Sequence, residues 1–198
     1  MAGLGKSFLT LAMASGIWLG VQGTALAATC SDMLDIGWPG KIVSNPPTED
    51  RQAIMDLIHT YYWTLDDKDT SGVDSFDELM TNDFTYVACR AGGQVELVAI
   101  KDRATLINRT KETFAKLNQS GLRTRHFVSN DILNVTKDGL VEGKFILLVT
   151  IQRAASADVP DLDYTASVKV RFKKDGDRWK FIALTLITDT PDVEERAR

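Results

Sequence analysis

Four long strand-like segments close the chain, and two of the joints between them are marked in the sequence. KDG at residues 137–139 and KDGD at 174–177 are turn sequences, in which the glycine accepts the positive φ that a tight hairpin needs. They predict strands over 123–136, 141–154, 163–173 and 178–188, laid antiparallel by short connections. Helical segments come first and long antiparallel strands after, which argues an α+β domain with helices packed on one face of a curved sheet. Such a sheet wraps around its helices like a cone and leaves a cavity between the layers. The run FILLVTI, Phe145 to Ile151, is apolar at nearly every position and implies burial on both faces, the second face by a partner subunit.

The helical segments are read from their apolar spacing. Thr48 can cap a helix whose first turn holds Glu49 and Asp50, charges that suit a helix N-terminus. At about 100° per residue, Ile54, Leu57, Ile58, Tyr61, Tyr62 and Leu65 gather into one arc, and the helix runs to about Asp67. Two adjacent aspartates are thereby separated: Asp66 falls at the border of the arc near His59, and Asp67 points to the polar side. A loop with Thr70, Ser71 and Gly72 follows, then a short helix from Asp74 to Met80. DFTYVAC (83–89) reads as a strand with Phe84, Tyr86 and Ala88 on one face, QVELVAI (94–100) as another strand. A third helix, Lys101 to Leu117, holds Ala104, Ile107, Phe114 and Leu117 on one side.

The first residues do not belong to this pattern. MAGLGK is weakly basic, FLTLAMASGIWLGVQG is apolar, and TALA offers small residues at Ala25 and Ala27, the layout of a secretory signal. The apolar stretch is shorter than the roughly 20 residues of a membrane span, and Thr29 suits a lipidated Cys30 poorly. The expected organisation is a signal peptide over 1–27, a linker or strap over 28–47, one domain over 48–190 and a tail over 191–198, with the mature protein secreted or periplasmic. The chain holds two cysteines. In an oxidising compartment Cys30 and Cys89 can form one disulfide; alternatively Cys89 is a buried strand residue and Cys30 is unpaired. Both readings stay open.

A net charge of −4 with scattered basic residues disfavours nucleic-acid binding, which needs a basic stripe. Two distant histidines and two cysteines make no metal cluster, and no glycine-rich phosphate loop or G-x-S-x-G elbow is present. What remains is RTRHFVSND (123–131), where His126, Val128, Asn130 and Ile132 share one face of a strand. That face should be buried, yet it is led by a titratable ring. Either His126 is a hydrogen-bonded core residue or a pocket lies beside it.

The segments DRQAIMDLIHTYYWTLDDKD, DSFDELMTNDFTYV, TRHFVSNDILNV and GDRWKFIALTLITD, in this order and spacing, resemble the SnoaL-like branch of the nuclear transport factor 2-like superfamily. The resemblance covers residues 48–190. It implies a cystatin-like cone with a deep apolar pocket, assembled as a homodimer or trimer. Enzymes of that superfamily such as scytalone dehydratase and lindane dehydrochlorinase pair an aspartate ending the first long helix with a histidine on a central strand. LDDKD and RHFVSN carry those roles onto Asp66 and His126, and FTYV carries a pocket tyrosine onto Tyr86. The chain departs from scytalone dehydratase in having no second histidine on the next strand. RTRHFVSN also resembles the β subunits of aromatic-ring-hydroxylating dioxygenases, which are mainly structural; a secretion signal argues against that role.

Histidine can take and give a proton near neutral pH, and a carboxylate on one ring nitrogen orients the other as a base. The expectation is a cofactor-independent lyase or isomerase for a small hydrophobic molecule, with His126 as base, Asp66 as its orienting partner and Tyr86 polarising an oxygen. Tyr62, Trp63, Asn130 and Tyr164 are candidate substrate contacts. A non-catalytic ligand-binding module and a structural subunit are the competing readings.

Overall fold

The computed structural model describes residues 44–90, 95–153, 155 and 159–189. Cys30, the expected signal segment, most of the expected 28–47 strap and the expected 191–198 tail lie outside the described residues. Of the strap, Ser44 bridges Val135, whose N–H donates to the Ser44 carbonyl at 2.8 Å, and Pro46 is buried.

The first helix, α1 (Thr48–Asp67), buries Ile54, Leu57, Ile58, Tyr61, Tyr62 and Asp66, while Asp67 stays exposed. Thr48 is not its cap. Pro47 holds that place without a side-chain bond, which its fixed φ suits. Two short helices follow, α2 (Thr70–Asp74) and α3 (Phe76–Leu79). The expected loop at 70–72 is therefore helical, because the Asp69 carboxylate accepts from the Ser71 N–H at 2.9 Å and caps a turn there.

Strands β1 (Met80–Arg90) and β2 (Val95–Ile100) form an antiparallel pair. The fourth helix, α4 (Arg103–Ser120), is capped by Asp102, which accepts from Thr105 N–H at 2.7 Å. Its buried residues are Leu106 and Phe114, whereas Ala104 is exposed. The helix is thus rotated from the arc expected, with half-buried Thr110 beside Leu117 on its inward side and Thr113 exposed. Four strands end the fold: β3 (Leu122–Val135), β4 (Val141–Arg153), β5 (Asp161–Asp175) and β6 (Arg178–Thr188). Gly139 and Gly176 take φ of 79° and 62° in the two marked turns.

The six strands make one curved, open sheet in the order β2-β1-β6-β5-β4-β3, antiparallel except where β1 runs parallel to β6. This is the α+β architecture expected from helices followed by strands. Helix α1 packs on β3 and β6, and α4 on β1 and β3, so the inward sheet face and the helices share one core. That core holds Phe76, Phe84, Phe172 and Phe181, all fully buried. Among the described residues, no helix is long and apolar enough to cross a membrane.

One irregularity in β3 decides which side chains turn inward. His126 and Val128 face the helices, but the register with β4 shifts between Ser129 and Ile132, where Asn130 has φ 56°. A bulge of this kind re-aims the residues after it. Ile132 is exposed as a result and Leu133 is buried instead. Leu133 lies directly over Gly143, where any Cβ would come within 2.6 Å of it.

Candidate functional site

Helix α1 lies along β3 in the opposite direction and is held there at three places. Near its start Arg51 pairs with Asp131. Near its end, Asp66 accepts two bonds from one residue: the backbone N–H of His126 reaches Oδ2 at 3.0 Å, and ring Nδ1 reaches Oδ1 at 2.6 Å. Just beyond, Lys68 adopts φ 50°, and its ammonium donates to the Leu122 carbonyl at 2.7 Å. Burial pulls the Lys68 pKa below the ordinary lysine value, while the Asp66 charge opposes that shift.

The Asp66 and His126 side chains are only 6% and 10% exposed, so solvent does not compete for their contact. A carboxylate at Nδ1 makes that nitrogen the donor in a neutral imidazole and leaves Nε2 with its lone pair. Nε2 has no hydrogen-bond partner among the described residues. The Tyr62 ring packs beside the imidazole with centroids 5.3 Å apart.

His126 belongs to a row that crosses the sheet, paired with Val149 on β4, which is paired in turn with Tyr164 on β5. All three line a cavity of about 420 Å³ between the sheet and α4, within the size range of small-molecule sites. Its walls are mostly apolar, with Leu65, Val98, Ile100, Leu106, Phe114 and Ile151, and its polar groups include Tyr61, Tyr86 and Tyr164. Burial pushes the Tyr86 hydroxyl up to about 12, against a downward pull from Arg109. Burial raises Tyr61 and Tyr164 as well. These phenols are neutral at ordinary pH, and none has a hydrogen-bond partner among the described residues. A neutral hydroxyl without a partner in an apolar wall is a donor awaiting an oxygen atom.

A second, smaller hollow of about 210 Å³ opens on the other side of the imidazole. Asp66, His59, Arg125, Trp63 and Phe127 line it. Among the described residues no cluster of three His, Cys, Asp or Glu side chains is placed to hold a metal ion.

The fold brings Asp66 to His126 and places Tyr86 and Tyr164 in the same cavity as the imidazole. Three other expected contacts lie elsewhere. Tyr62 lines the outer hollow rather than the cavity, with its neighbour Tyr61 in its place. Trp63 is 61% exposed at the outer hollow, since it lies outside the apolar arc of α1. Asn130 lines neither hollow: it is exposed and occupies the left-handed position of the β3 bulge, a conformation asparagine tolerates. Cys89 is fully buried on β1, and Cys30, its partner in one of the two readings, lies outside the described residues. Arg109 and Asp163, both at the cavity, were not among the expected residues. An isolated charge on a helix or strand carries no sequence signal that distinguishes it from surface.

The SnoaL-like domain family matches residues 46–185. No curated protein matches the chain. Several solved structures share its fold at low identity. ActVI-ORFA from Streptomyces coelicolor superposes with a TM-score of 0.59 at 15% identity, over 72% of this chain and 98% of its own. The β subunit of benzoate 1,2-dioxygenase from Burkholderia mallei gives 0.58 at 14%, over 76% and 98%. A nuclear transport factor 2-like protein with a cystatin-like fold from Novosphingobium aromaticivorans gives 0.57 at 20%, over 75% and 88%. With a match over most of its length and a helix-on-sheet cone to go with it, this chain belongs to the SnoaL-like domain family.

Proposed function

We propose that the protein is an exported, cofactor-independent lyase or isomerase that moves a proton on a small hydrophobic carbonyl or cyclic compound. The observation that supports this most is the two-bond grip of Asp66 on His126 in the wall of an apolar cavity. Export is supported by the character of residues 1–27 alone.

In this reading the substrate fills the cavity with an acidic C–H facing His126. Asp66 holds the ring by Nδ1, Nε2 takes the proton, and the carboxylate stabilises the imidazolium that forms. The charge developing on the substrate oxygen is met by the neutral hydroxyls of Tyr86 and Tyr164, donors already in place in a site of low dielectric. The same imidazolium returns the proton to another atom for isomerisation, or a leaving group departs for elimination.

Proton exchange tests this without knowledge of the natural substrate. In deuterated buffer the protein is expected to accelerate exchange of the α-protons of 2-tetralone, followed by mass spectrometry. His126→Ala should lower that rate by about 100-fold or more, the range of general-base catalysis. Binding of 2-tetralone without any exchange would leave a ligand-binding module.

A structural subunit is the second reading, supported by the outward face of the sheet. Phe127 and Leu148 are paired neighbours there, and both are exposed together with Ile146. On this reading a homodimer or trimer covers them, and a strictly monomeric mature protein by light scattering rules it out.

A further inference from the structure

We propose that the ligand of the inner cavity is an apolar ring compound bearing one anionic group, a carboxylate, and that Arg109 binds that group at the rim. The inference rests on the reading of this cavity as the ligand site, and it does not depend on turnover.

Arg109 stands on the side of α4 that borders the cavity, and it also borders a shallow depression shared with Glu112 and Lys116. Among the described residues its guanidinium makes no ion pair or hydrogen bond, although Glu112 is one turn away on the same helix. Surface arginines lacking a counter-ion are ordinary. This one differs in its neighbours: on one side is a hollow walled by Leu106, Phe114, Val98 and Ile100, and its charge is felt at the Tyr86 hydroxyl inside. Among the described residues the one carboxylate lining the cavity is Asp163, which already has an interaction of its own. Arg109 is thus, among the described residues, the cavity-lining charge that makes no ion pair or hydrogen bond.

A guanidinium recognises a planar carboxylate through paired N–H donors, and such charge-assisted bonds are stronger than neutral ones. The apolar walls then take the hydrocarbon body. An apolar cation gains nothing at this rim, and a neutral compound forfeits the charged contact. The geometry thereby orients the ligand as well, with its acid end towards α4 and its ring system towards Val149 and His126.

Calorimetric titration of the intact protein with 2-naphthoate and with 2-acetonaphthone tests the inference. The two probes have nearly the same shape and differ in charge. Naphthoate is expected to bind about tenfold more tightly, which corresponds to about 1.4 kcal/mol. Arg109→Gln should remove that advantage and leave acetonaphthone within about twofold of its native affinity, while Arg109→Lys should retain part of it. Equal affinities in the native protein overturn the inference while the cavity reading stands. An advantage that survives Arg109→Gln also overturns it, since a group other than Arg109 would then hold the anion. Failure of both probes to bind overturns the inference and the cavity reading together.

Discussion

The two hollows on either side of His126 share one imidazole and little else. The inner one is twice as large, walled by aliphatic side chains and phenols; the outer one is lined by Asp66, His59 and Arg125 beside two solvent-facing aromatics. The contrast follows from α1. Its apolar arc, which includes Tyr61 and Leu65, faces the sheet, while Tyr62 and Asp66 stand at the arc's border and Trp63 beyond it. An imidazole at such a boundary can meet an apolar ligand from within while its buried carboxylate partner lines the other hollow. The lesson is that burial of the ring and access to it are separate properties.

Removing the carboxylate should break the contrast most severely. Asp66→Ala orphans the His126 N–H and ring and strips the buried Lys68 ammonium of its nearest opposite charge, so unfolding in urea should show a loss of about 3 kcal/mol. Asp66→Asn keeps an acceptor for the backbone N–H and should lose about 1 kcal/mol. If Asp66→Ala costs less than about 1 kcal/mol, the carboxylate is not what holds α1 to β3.

Alkaline pH acts on the inner hollow through Tyr86. Tyr86 titrates near 12 in the folded protein and near 10 when unfolded. Its contribution is therefore fully present below about pH 10 and is lost as pH rises towards 12. The wild type should lose about 1.4 kcal/mol more stability than Tyr86→Phe between about pH 8 and pH 11. Matching losses in the two proteins would mean that the hydroxyl is solvated and the cavity is wet.

The outer aromatics should matter least. Trp63 is mostly exposed, and Trp63→Ala should shift the unfolding free energy by less than about 0.5 kcal/mol. A larger shift would show that the outer hollow is packed against something.

The order of elements was legible because it rests on local rules. Two glycine turns bounded the last strands to within a few residues, and the α1 arc separated Asp66 from Asp67 before any tertiary contact was known. The errors fell where a backbone detail intervened. Asn130 looked like a neighbour of His126 by alternation, but the bulge it creates ends that alternation. Trp63 does line a hollow with Asp66 and His126, but on its exposed side, because the angle of α1 sends it outward. Arg109 was invisible because its role depends on how α4 rolls on the sheet, and the expected arc through Ala104 put that roll slightly wrong.

By itself the sequence determined the class of fold, the boundaries of most elements and the sidedness of the first helix, because turn chemistry and hydrophobic period act over a few residues. The meeting of Asp66 with His126 across 60 residues was suggested by family resemblance alone. Its distances, the cavity beside it and the partnerless hydroxyls facing that cavity were decided by the tertiary structure. Those properties depend on how a helix lies against a curved sheet, and no local pattern of residues encodes the space left between them.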